Sequence, residues 1–171
     1  MRVTESEAKN VLEQAHQAWS EGDLDSTLAC YCDDLRYVCN TGGFDGSPLC
    51  IAGKNQFRDF LLPVIETVDS LSTVSHFRLE GQVARAFIDC TLSHRNTGLQ
   101  LVGNYTQIVT FERGKILRMD ELHDVARMAA FWRLVLSEEE EPASSIFKAP
   151  LHLEGERVQW RDQLPKPWRY R

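Results

Sequence analysis

The 171-residue chain reads as an α+β domain. Three observations carry that reading. Apolar residues recur at helical spacing in three segments before Val68, the period changes from 3.6 to 2 after Ser72, and Arg113-Gly114 separates two of the alternating runs as a tight turn. Helices first and an antiparallel meander afterwards place the helices on one face of a sheet.

The elements follow in order. Thr4 and Glu7 form a capping-box pair, and Ala8, Val11, Leu12, Ala15, Ala18 and Trp19 make one apolar stripe of a first helix ending near Glu21. His16 sits at the edge of that stripe and reads as exposed. Asp23 caps a short second helix through Leu24, Leu28 and Tyr31, which Asp33-Asp34 stops; residues 35–39 read as a strand. Residues 40–48 are a glycine-rich loop, and a helix from about Asn55 carries Phe57, Phe60, Leu61, Val64 and Val68, with Pro63 expected to weaken it locally. Strands are predicted over 74–79, 83–94, 101–112 and 115–123. Asp124 then caps a last helix with Val125, Met128, Phe131, Trp132 and Val135.

The domain is expected to span 1–136. Residues 137–171 hold Trp160, Trp168 and four prolines, and read as an arm packed on the domain or on a second subunit.

Composition narrows the function classes. With 19 Lys and Arg against 25 Asp and Glu, the net charge of −6 disfavours a nucleic-acid partner. No apolar run is long enough for a membrane-spanning helix, and the N-terminus lacks an apolar signal core, so a cytoplasmic protein is expected. The five cysteines form no CxxC pair and no histidine follows at zinc-finger spacing; Cys30 and Cys32, placed on one helix, would point apart. Reduced, buried thiols are expected, with no metal and no cofactor. No dinucleotide or phosphate loop, nucleophile elbow or HExxH is present.

The stretches AHQAWSEGDLDSTLACYCDDLRYV (15–38) and GNYTQIVTFERGKILRMDELHDV (103–125) resemble the nuclear transport factor 2-like superfamily, in its SnoaL-like (polyketide cyclase-like) branch. The resemblance covers roughly residues 4–136. It implies a cone-shaped, curved antiparallel (mixed) sheet wrapped around N-terminal helices, a pocket between them, and a homodimer through the outer sheet face. These motifs are caps and turns, so they specify fold better than activity.

The family's chemistries can be tested residue by residue. The tyrosine and carboxylate base of the ketosteroid isomerases fall here on Ala15 and Cys39, neither of which can serve, and a further oxyanion donor falls near Gln107. The epoxide-hydrolase pattern would use Asp89 and Glu121, but Phe87 stands where its arginine belongs, with Arg85 one alternation further back. In the dehydratase and cyclase pattern, Leu117, Met119, Glu121 and His123 share one strand face that lines the cavity. A glutamate beside a histidine on that face is an acid–base couple suited to neutral pH. Against it stands the plainer reading of His123 as a hydrogen-bonded strand end and Glu121 as a partner of Arg118 or Arg127.

The expected catalytic residues are therefore Glu121, His123 and Asp89, with Trp19, Tyr31, Tyr37, Tyr105, Gln107 and Met119 as ligand-binding residues. Gly42, Gly43 and Gly46 suggest a loop that closes over the pocket mouth. The expected function is cofactor-independent isomerisation, cyclisation or dehydration of a small, apolar, oxygenated molecule by proton transfer. The alternatives are a non-catalytic ligand-binding or dimeric module, and a structural subunit resembling the β subunit of ring-hydroxylating dioxygenases.

Overall fold

The computed structural model of the chain describes residues 3–139. It consists of α1 (Glu5–Ser20), α2 (Leu24–Ala29), β1 (Tyr31–Cys39), β2 (Leu49–Ala52), α3 (Lys54–Thr67), β3 (Val68–Glu80), β4 (Val83–His94), β5 (Gln100–Glu112), β6 (Lys115–Leu122) and α4 (Val125–Glu139). The arm expected over 137–171 lies outside the described residues from 140 onward.

The six strands form one mixed sheet in the order β2-β1-β6-β5-β4-β3. Only β1 and β6 run parallel; every other neighbouring pair is antiparallel. Between β5 and β6, Arg113 and Gly114 both take positive φ, at 51° and 73°, which is the two-residue hairpin geometry that the right-handed strand twist favours.

Local chemistry explains where α1 begins. The Glu7 carboxylate accepts from the Thr4 backbone N–H at 2.8 Å while the Glu7 N–H donates to Thr4 Oγ1, so two otherwise unpaired amides are satisfied together. Ala8, Leu12 and Ala15 then join Ala84, Ala86 and Ile88 of β4 in one core with α2, α3 and the concave face of the sheet. A second apolar cluster gathers Val64, Val68, Met128, Phe131, Trp132 and Val135 where α4 meets the end of α3.

Element bounds and one burial depart from the sequence reading. Tyr31 opens β1 and does not close α2, because the α2 cap falls at Cys30, and Cys32 is therefore on a strand. Residues 49–52, between the loop and the next helix of the sequence reading, pair with β1 as β2, a strand too short to show a period. The strand predicted from Val74 begins at Val68, directly after α3, which runs unbroken through Pro63. His16, read as exposed, is buried.

Candidate functional site

Sheet register builds the site. Cys39 on β1 is paired with Glu121 on β6, and Glu121 is paired with Gln107 on β5, so three polar side chains form one row across the concave face. The row below it, Tyr37, Met119 and Val109, comes from the same register two residues earlier on each of β1 and β6.

Glu121 is the hub. Its Oε2 accepts from the Tyr37 hydroxyl at 2.7 Å and lies 3.1 Å from His123 Nε2, while its Oε1 accepts from Gln107 Nε2 at 2.8 Å. Three donors occupy roughly three of the carboxylate's about four acceptor positions, leaving about one for an incoming group. His123 follows the last residue of β6 and is fixed from two sides. Its backbone N–H donates to Asn40 Oδ1 at 2.8 Å and its carbonyl accepts from Asn40 Nδ2 at 2.9 Å. The Tyr105 ring stacks on its imidazole at 4.1 Å.

The electrostatics follow from these contacts. Burial works against the Glu121 charge, but His123, Tyr37 and Gln107 outweigh it and hold the carboxyl below its usual value. Burial likewise opposes a charged His123, yet hydrogen bonds to Cys39 and Glu121 and the Glu121 charge win and push it up. At neutral pH the pair is therefore a carboxylate and an imidazolium, with side chains 13% and 11% exposed.

The polar row continues into α1. His16 Nε2 is 3.0 Å from Gln107 Oε1, and His16 Nδ1 is 2.8 Å from Ser72 Oγ. Gln107 must give its N–H to the acceptor-only carboxylate, so its Oε1 faces His16, and His16 donates from Nε2. Burial holds His16 below its usual pKa and hence neutral, which leaves Nδ1 to accept from the Ser72 hydroxyl. Beneath the row, Met119 Sδ accepts from Gln107 Nε2 at 3.3 Å and from the Tyr31 hydroxyl at 3.7 Å.

The row opens into a cavity of about 130 Å³ between the concave face, α1, α3 and α4. Trp19 of α1, Phe57 and Phe60 of α3 and Trp132 of α4 share its wall with Glu121 and His123. Thr41 also lines it, and Thr41 Oγ1 is buried with no hydrogen-bond partner among the described residues. A buried hydroxyl without a partner costs about 1–3 kcal/mol.

The glycine-rich loop forms part of this wall through Thr41, Gly42 and Phe44. It is pinned by hydrogen bonds from Gly43 N–H to the Ser47 carbonyl and from Gly46 N–H to the Gly43 carbonyl, at 2.9 and 2.8 Å. Phe44 packs edge-on against Trp132 of α4 at 4.5 Å. It is a packed wall, in place of the mobile closure its glycines suggested.

Of the nine residues singled out from sequence, Glu121, His123, Trp19, Tyr31, Tyr37, Tyr105 and Gln107 all border the cavity. Met119 points the same way but lies beneath the row, 1% exposed and outside the cavity wall. Asp89 is the correction: it is exposed on the outer face, because β4 alternates and Ala84, Ala86 and Ile88 take the inward positions. Arg85 shares that outward face. Leu117 also yields its expected inward place to Ile116, since the β5–β6 register shifts between Thr110 and Phe111.

His16, Ser72, Asn40 and Thr41 were missed. A signal for His16 was present: Leu12, Ala15, His16 and Trp19 fall at i, i+3, i+4 and i+7. Nothing local marks the other three. Cys39, Glu121 and His123 also bring one sulfur, one oxygen and one nitrogen donor within 4.8 Å of one another, a donor set that a borderline-soft cation accepts. Cysteine spacing could not reveal it, since Cys39 lies more than 80 residues from Glu121 and His123 in sequence.

Comparison with known proteins adds the family. The SnoaL-like domain family matches residues 12–119. No curated protein matches the chain. Among solved structures, a nuclear transport factor 2-like protein of unknown function from Burkholderia pseudomallei superposes with a TM-score of 0.65 at 17% identity, covering 73% of this chain and 96% of that one. A candidate polyketide cyclase from Xanthomonas campestris pv. campestris gives 0.65 at 17%, covering 75% and 98%. A LEH-like epoxide hydrolase from M. tuberculosis gives 0.62 at 18%, covering 78% and 95%. At these identities the likeness is one of fold.

Proposed function

The chain belongs to the SnoaL-like family, and from that premise we propose that it is a cofactor-independent acid–base catalyst acting on a small, largely apolar, oxygenated molecule. The observation that carries this reading is the Glu121 carboxylate, hydrogen-bonded by Tyr37, Gln107 and His123 at the end of an aromatic cavity. Both members of the couple stand in their working protonation states at neutral pH, Glu121 as base and His123 as acid.

Glu121 takes a proton from carbon next to a carbonyl. His123 and the Thr41 hydroxyl donate to the oxygen on which negative charge develops. Enolisation is the shared first step of isomerisation, aldol-type cyclisation and dehydration of such compounds. The cavity volume of about 130 Å³ limits the ligand to about the size of one small ring, since an apolar cavity of about 150 Å³ holds benzene.

Deuterium exchange tests the reading without knowledge of the substrate. The protein is incubated in D2O with ring-sized enolisable ketones, cyclohexanone first, and loss of the α-proton signal is followed by NMR. Exchange above buffer that disappears in Glu121→Gln supports it. Exchange equal in the two proteins overturns it, and saturable binding without exchange means a ligand-binding module.

The proposal extends to assembly. Leu71, Phe87, Val102 and Leu122 are large, exposed and apolar on the sheet strands, which supports a homodimer through the outer face. Sedimentation of the wild type against Phe87→Lys is the check. Among the described residues no helix is long and apolar enough to cross a membrane.

A further inference from the structure

Cys39 is 3% exposed and yet borders the cavity. Its sulfur lies within 4.8 Å of both a Glu121 oxygen and a His123 nitrogen, and its backbone position is locked to Glu121 by strand register. A thiol in reach of a carboxylate that can take its proton and of an imidazolium that can hold developing negative charge is arranged for nucleophilic addition. The other four cysteines lack this arrangement: Cys90 borders the cavity without a histidine partner, and Cys30, Cys32 and Cys50 lie outside its wall.

We propose that Cys39 is a nucleophile that adds reversibly to an α,β-unsaturated carbonyl compound held in the cavity. The proposal rests on the reading of Glu121 and His123 as the acid–base couple. The Cys39 thiol proton passes to the Glu121 carboxylate as the sulfur bonds to the β-carbon. The C=C π pair moves onto the carbonyl oxygen as an enolate, held by the His123 imidazolium and the Thr41 hydroxyl. The proton on Glu121 then moves to the α-carbon, so the net change is addition of S–H across the double bond, with no oxidant or reductant. The aromatic wall suits a conjugated ring, and the unpaired Thr41 hydroxyl suits its oxygen.

The experiment is a time course of the full chain with 2-cyclohexenone, with adducts assigned to individual cysteines by peptide mass spectrometry. Cys39 is expected to react at least about tenfold faster than Cys90, an advantage that denaturant and His123→Gln remove. Cyclohexanone, which has no electrophilic β-carbon, is expected to slow labelling of Cys39 and not of Cys30, and this arm holds even if His123→Gln fails to fold. Labelling of Cys39 no faster than Cys90, or adducts confined to Cys30, Cys32 and Cys50, overturns the proposal. Deuterium exchange with cyclohexanone needs no thiol addition, so an inert Cys39 with exchange intact removes the nucleophile alone.

Discussion

Glu121 and His123 are two residues apart in sequence, and their side chains meet at 3.1 Å because Asn40 clamps the His123 backbone where β6 ends. A strand face alone would keep such residues side by side. The clamp and the Tyr105 stack turn proximity into a fixed pair. Glu121→Gln preserves shape and one donor–acceptor set while removing the base. Deuterium exchange into a bound ketone is expected to fall at least about a hundredfold, with the far-ultraviolet circular dichroism unchanged. A smaller loss would assign the proton transfer elsewhere.

The same pair sets how stability varies with pH. Glu121 has its pKa lowered on folding from 4.5, so its contribution is complete above about 4.5 and is lost as pH falls through the folded value. His123 is raised from 6.5 to about 10, so its contribution is complete below 6.5 and is lost as pH climbs toward 10. The pair therefore contributes most between about 4.5 and 6.5. Urea midpoints of the wild type are expected to fall from pH 6.5 to 9.5, and those of His123→Gln to fall less. Cys39, Tyr37 and Tyr105 face the same site, so the difference between the two proteins is the quantity that isolates His123.

His16 acts in the opposite direction. Its pKa is lowered from 6.5 by burial, so below pH 6.5 the unfolded chain takes up a proton that the folded chain refuses, and stability drops as pH falls. Nitrogen-15 spectra of the imidazole are expected to show a neutral ring protonated at Nε2 above pH 7. A ring protonated at Nδ1 would mean that Gln107 presents its amide the other way round, which would strip Glu121 of a donor. Replacing His16 with Phe leaves Gln107 Oε1 without its donor and the Ser72 hydroxyl with only its 3.5 Å contact to Ser20 Oγ, and is expected to cost about 1–3 kcal/mol.

Much of this was legible in the chain, and the limits have physical causes. The α1 cap and stripe, the Arg113-Gly114 turn and the alternation of β4 to β6 are local patterns, so they fix elements without knowledge of the fold. The shared face of Glu121 and His123 follows from one strand. The pairing of β2 with β1, the start of β3 at Val68 and the Cys39–Glu121–Gln107 row all depend on which strands become neighbours, and no local period encodes that. Asp89 shows the cost of arguing by spacing from a relative's motif: its inward place required a register that Ala84, Ala86 and Ile88 deny. His16 was misread because a polar residue on an apolar face was assigned to its edge, when Ser72 and Gln107 were waiting on β3 and β5 to satisfy it.

The glycine-rich loop yields the last prediction. Gly46 has φ of +82°, and a Cβ there would stand 2.9 Å from the Cβ of Ala129 on α4. Gly46→Ala therefore carries two costs, left-handed backbone strain of about 1 kcal/mol and a close contact that must push the loop from α4. Gly22 has φ of +74° with nothing within 4 Å of its would-be Cβ, so Gly22→Ala carries the first cost alone. The Gly46 variant is expected to melt several degrees below the Gly22 variant, at roughly 2–4 °C per kcal/mol for a chain of this size. Because Phe44 and Trp132 form one stretch of the cavity wall, the Gly46 variant is also expected to bind cyclohexanone more weakly than the wild type, while the Gly22 variant binds it equally. Equal melting of the two variants would mean that the loop gives way to α4 without strain and that the cavity wall on this side is soft.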